Sequence, residues 1–82
     1  MSEKEQIQGL HIGRMIAAEL ERQGRKVEWL ARQIPCDKSN MYKMLKRPGM
    51  DAVLLIRISR ILDHNFLEDL SAWAEQWQDL PL

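Results

Sequence analysis

Apolar side chains recur along this chain at intervals of three and four residues, and no stretch shows the two-residue alternation of a half-buried strand. Ile12, Ile16 and Leu20 fall on one face at i, i+4, i+8, which predicts a first helix from about Gly9 to Gln23. Gly24 then stands where a C-terminal cap belongs. A short second helix is predicted over Val27 to Gln33, with Trp29, Leu30 and Ile34 turned inward. Pro35 ends it, because the residue before a proline is pushed out of the helical region. Asp37 is placed to cap a third helix from Lys38 to about Lys46, in which Met41, Met44 and Leu45 are apolar. Arg47-Pro48-Gly49 breaks the chain. Asp51 caps a fourth helix, where Leu54, Leu55, Ile58, Ile61 and Leu62 make a broad face to bury. Asn65 and Glu68 have capping-box spacing for a fifth helix, Phe66 to Trp77, and Pro81 closes the chain. The expected fold is all-α, with five short helices on one core.

With 82 residues there is material for one small domain with a modest core, and none for a separate ligand-sensing domain. A small-molecule effector is therefore not expected. The longest unbroken apolar run, Ala52 to Ile56, is far short of the roughly 20 residues of a membrane span. The opening residues MSEKEQIQ carry no apolar signal-peptide core. One cysteine, Cys36, cannot form an internal disulfide, which suits a reducing compartment. The expectation is a soluble cytoplasmic domain with no membrane partner.

Charge changes the picture. Twelve Lys and Arg balance twelve Asp and Glu, which taken as an average argues against a nucleic-acid partner. The average hides a segregation. Arg22 to Arg60 holds ten basic and three acidic residues, a net +7, whereas Met1 to Glu21 is −2 and Ile61 to Leu82 is −5. A basic centre between acidic ends is what a duplex-facing surface and a rear face require.

The basic centre contains the most informative stretch, Lys26 to Arg47. A seven-residue helix, a turn around Pro35-Cys36 and a second helix rich in Lys, Ser and Asn make a helix-turn-helix candidate. Such a second helix must offer short polar and basic side chains to base edges while its other face locks onto the first. Lys38, Ser39, Tyr42, Lys43 and Lys46 share one side of the third helix, Asn40 lies at its edge, and Met41, Met44 and Leu45 point the other way.

On these residues the chain resembles the lambda-repressor-like helix-turn-helix family, the Cro or Xre type, over about Leu10 to Leu70. Ile12-Gly13 and Ile16, Gly24, and Leu30-Ala31 match its first two helices. Asp37-Lys38-Ser39-Asn40-Met41 is similar to its turn into the recognition helix, and Leu55, Ile58, Ser59 and Leu62 to its fourth helix. The resemblance implies a DNA-binding transcription regulator. Four positions depart from the pattern. Pro35 replaces the usual turn glycine and cannot adopt the left-handed conformation glycine supplies. Val27 stands where many members place a phosphate-binding Gln. Leu20 and Leu45 occupy positions where members often carry a paired Arg and Glu. Removing one partner of a buried pair costs roughly 3–5 kcal/mol, whereas replacing both by apolar groups is often neutral. Leu20 and Leu45 are therefore expected to pack together.

The expected base contacts are Lys38, Ser39, Asn40, Tyr42 and Lys43, and the expected backbone contacts are Lys26, Arg32, Lys46 and Arg47. The plain alternative for each is a solvated helix face, and Arg57 and Arg60 read equally well as ordinary surface charge. Phe66, Leu70, Trp73 and Trp77 step by 4, 3 and 4 along the fifth helix, a seam expected to pair two copies into a homodimer. The alternative is that these rings close the domain's own core. Glu68, Asp69, Glu75 and Asp79 make that end acidic, so it should face away from a duplex. His11, His64, Cys36 and Asp63 lack metal-ligand spacing, no motif for catalysis or a cofactor is found, and no enzyme is expected. The organisation expected is a flexible N-terminus (1–8), a helix-turn-helix domain (9–70), and a helix end and tail (71–82) as a dimerisation element. Double-stranded DNA is the expected partner. The rival is a protein-interaction module, antitoxin-like or adaptor, on the same scaffold.

Overall fold

The computed structural model describes residues 10–34 and 36–75. Five helices make up this region: α1 (Ile12–Arg22), α2 (Val27–Gln33), α3 (Lys38–Leu45), α4 (Ala52–Leu62) and α5 (Phe66–Glu75). No strand occurs among the described residues. α3 packs against both α2 and α1, and α5 packs against α4.

All five helices feed one cluster. Ile12, Ile16 and Leu20 enter it from α1, Leu30 and Ala31 from α2, and Met41 and Leu45 from α3. Leu55, Ile58 and Leu62 of α4 and Phe66 of α5 complete it, and Ile16, Leu30, Met41 and Ile58 are wholly buried. Each such side chain contributes roughly 1.5–3 kcal/mol. Leu20 and Leu45 both join this cluster. The fourth helix buries Leu55, Ile58 and Leu62 fully and half-buries Leu54 and Ile61, as its periodicity predicts.

Local capping sets several of the helix ends. Arg25 N–H donates to Leu20 O (2.8 Å) and Gly24 N–H to Glu21 O (3.0 Å), with Gly24 at φ +71°. These are the paired bonds of a Schellman motif, which needs a left-handed residue at the glycine position. α4 ends in the same way, with His64 N–H on Ser59 O (3.0 Å) and Asp63 N–H on Arg60 O (3.3 Å). There the left-handed residue is Asp63, at φ 54°. Asp51 caps α4, its Oδ2 accepting from Leu54 N–H at 3.1 Å. Asn65 Oδ1 accepts from Leu67 N–H at the start of α5 (3.0 Å).

The start of α1 corrects the expectation. The helix begins at Ile12, not near Gly9, because a tertiary contact defines its first turn. His11 Nδ1 accepts from Arg14 N–H (3.0 Å), which leaves Nε2 to donate to Lys46 O (3.1 Å). Ile12 N–H donates to Pro48 O (2.9 Å) and Gly13 N–H to Arg47 O (3.2 Å). The amides that open α1 thus meet the carbonyls that follow α3, and the two helix dipoles are complementary there.

One member of the seam expected on the fifth helix lies in the chain's own core. Phe66, placed by its spacing in a seam between two copies, is 1% exposed in the chain's own core. Leu70 packs against that core, and Trp73 is half-buried. Trp77 lies outside the described residues, as do Pro35, Asp79 and the segment 1–8.

Candidate nucleic-acid interface

α3 has a core side and an open side. Met41 is wholly buried and Leu45 nearly so, which fixes the rotation of the helix about its axis. With that rotation set, Lys38, Ser39, Asn40, Tyr42 and Lys43 are all exposed, as are Lys46 and Arg47 beyond the helix end. Lys26 and Arg32, from the start and end of α2, are exposed as well. The nine residues expected to meet DNA are therefore all open to solvent, and the five assigned to bases lie in the first six positions of one helix. Asp37 occupies the N-cap position of α3, but its side chain makes no capping bond.

One acidic side chain intrudes on this surface. Glu28 of α2 lies within 3.9 Å of Lys38 Nζ, and Tyr42 OH donates to its Oε2 at 3.4 Å. A bond from its own backbone N–H, then the charge of Lys38 and the Tyr42 hydroxyl, hold the Glu28 carboxyl below its ordinary range. Two of the five expected base contacts thus face a carboxylate in the free protein. Glu28 stands ten and fourteen positions from these partners, so no spacing within one helix could have signalled the contact.

A second polar cluster lies among α1, the α4–α5 corner and α5. Glu19 is 7% exposed, yet it is a charged group in the core face of α1. Arg22 forks both carboxylate oxygens, and Gln23 Nε2 donates to Glu19 Oε2 (2.7 Å) and to Leu62 O (2.7 Å). The hydrogen bonds from Arg22 and then Gln23 pull the Glu19 carboxyl down to about 2. Glu19 in turn raises the Arg22 guanidinium further. His64 Nε2 stands 2.6 Å from Asp69 Oδ2, with its Nδ1 3.8 Å from Glu19, and its ring meets Phe66 edge-on. Glu19 and Arg22 thus form an ion pair within one turn of α1. A carboxylate with Arg at i+3 and Gln at i+4 is a signal of this clamp that the apolar periodicity does not carry.

Comparison with protein-family models, with curated proteins and with solved structures found no match. No helix among the described residues is long and apolar enough to cross a membrane. Among those residues, no group of three or more His, Cys, Asp and Glu could hold a metal ion.

Proposed function

We propose that the chain is a lambda-repressor-like helix-turn-helix protein, a small sequence-specific DNA-binding transcription regulator that lays α3 in the major groove. The observation that carries this reading is the division of α3. Met41 and Leu45 are locked into the core while Lys38, Ser39, Asn40, Tyr42 and Lys43 all stay exposed. Side chains of these types hydrogen-bond base edges, with Asn suited to adenine and Lys to guanine. Lys26, Arg32, Lys46 and Arg47 flank them and suit phosphates. Two copies would read half-sites about one helical turn apart. With about five phosphates engaged, log affinity falls against log salt with a slope near −4.5.

Selection of bound sequences from a random duplex library tests this directly. The expected outcome is an enriched motif with a repeated half-site. A library that returns no enrichment under low salt rejects the reading.

A specific observation favours a second reading, a protein-interaction module. Val53, Ile56 and Leu67 are 61%, 44% and 42% exposed, and Ile56 and Leu67 line one hollow between α4 and α5. Large apolar residues grouped on a surface mark contact sites. The same strip, rather than Phe66, offers a second copy its place in the dimer. Lys43→Glu separates the readings: it abolishes duplex binding under the first and leaves partner binding intact under the second.

A further inference from the structure

Beside the expected contacts, α2 carries a feature that no spacing rule singled out. The Arg25 guanidinium lies over the Trp29 indole, its Cζ 4.0 Å from the ring centroid. Trp29 is half-buried and packs against the core, so the ring is a fixed platform. Arg25 itself is exposed and, like Arg32, makes no ion pair among the described residues, while the charge of Lys26 acts on Glu28 without closing an ion pair. A stacked guanidinium keeps its donor edge free and has little rotamer freedom left to lose on binding.

The surroundings give this group a direction. Arg25, Lys26, Trp29 and Arg32 line one hollow, and Arg32, Cys36 and Lys38 line another. The two share Arg32 and Glu28, so they join into one groove along α2 that ends at the first residue of α3. Four cations line it against a single carboxylate, Glu28, which already faces Lys38 and Tyr42. Seven helical residues span roughly 10 Å. A DNA strand carries one phosphate per about 3.4 Å of helix axis and winds around that axis, so successive phosphates stand farther apart than this and that length takes fewer than three.

We propose that Arg25, held on Trp29, anchors a phosphodiester strand of duplex DNA that runs along α2 toward Lys38, with Trp29 as the positioning residue. The proposal rests on the duplex-binding reading and adds Arg25 and Trp29 to it. Guanidinium forks match phosphate oxygens two at a time, and a row of cations suits a regularly charged polymer.

The test is a salt titration of duplex binding by the unmodified chain, Arg25→Gln, Trp29→Leu and the double variant. Arg25→Gln should make the log–log slope shallower by about 0.9 and weaken binding about eightfold at 0.1 M salt. Trp29→Leu should weaken binding about twofold to fivefold, and should have no further effect once Arg25 is Gln. If Trp29→Leu does not fold, Arg25→Lys takes its place. It keeps the charge but loses the planar stack, and should lower affinity with the slope unchanged. Duplex binding that is indifferent to Arg25→Gln overturns the anchor alone. Equal losses from Trp29→Leu in both backgrounds, or full affinity in Arg25→Lys, overturn the positioning role. Failure of the unmodified chain to bind any duplex overturns the duplex-binding reading itself.

Discussion

The carbonyl oxygen of Leu45 lies where a side chain on Gly13 would begin: a Cβ there would stand 2.1 Å from it and 2.8 Å from Arg47 O. Both neighbours are backbone, so neither can turn aside. The first turn of α1 and the end of α3 therefore touch main chain to main chain, next to the bonds from Ile12 and Gly13 to Pro48 and Arg47.

Gly13→Ala should therefore destabilise the fold by about 3 kcal/mol, the upper part of the overpacking range. Helix propensity alone gives the opposite sign, since Ala in a helix is favoured over Gly by about 1 kcal/mol. Urea unfolding separates the two; a more stable variant would show that the helices can part at no cost. Because α3 carries the exposed polar face, the same substitution should also weaken any binding that uses it.

Glu19 predicts an acid limb of stability. Its carboxyl titrates near 2 in the fold against about 4.5 when unpaired. A depressed carboxylate contributes stability that is present above pH about 4.5 and is lost as pH falls toward 2. Unfolding midpoints measured from pH 7 to pH 2 should fall across that window. Glu19→Gln should flatten the fall and lower the midpoint at pH 7. An unchanged acid limb in that variant would assign the effect to other carboxylates.

Asp63 should be improvable. It holds the left-handed conformation that ends α4, an exposed position where glycine avoids the Cβ penalty. Asp63→Gly is expected to raise stability by about 0.5–1 kcal/mol, net of the entropy glycine loses on folding. Gly24→Ala makes the converse change at φ +71° with open space around it, and should cost about 1 kcal/mol from backbone strain alone. Thermal melts of both variants check the pair.

Under the duplex-binding reading, Glu28 competes with phosphate for Lys38 and Tyr42. Glu28→Gln should tighten non-specific duplex binding about twofold to fivefold, in line with an exposed ion pair. Lys43→Glu should abolish binding while the melting curve stays the same, since Lys43 is exposed and away from the core. Fluorescence anisotropy with a labelled duplex reads both. Weaker binding in Glu28→Gln would show that Glu28 orients Lys38 and Tyr42 for the duplex and does not oppose it.

Most of the architecture was legible because it rests on local rules. Leu54, Leu55, Ile58, Ile61 and Leu62 declare a helix by period alone, and Asp51 and Gly24 mark ends by chemistry that acts within one turn. The open face of α3 was legible for the same reason. Once Met41 and Leu45 go inward, the positions of Lys38, Ser39, Asn40, Tyr42 and Lys43 follow from 3.6 residues per turn. Phe66 shows the limit of period. Its spacing describes an apolar stripe but not what covers it, and the core of the same chain takes it.

Sequence by itself thus determined five helices, their core faces and a basic centre, because these depend on neighbours within a turn or two. Tertiary structure alone decided where α1 begins, why Gly13 must be glycine, that Gln23 and Glu19 at the end of α1 meet Leu62 and His64 at the α4–α5 corner, and that Glu28 leans over Lys38 and Tyr42. Each of these joins residues from different helices, and the meeting of two helices depends on the shapes of both surfaces together. The balanced charge of the whole chain says nothing about that meeting.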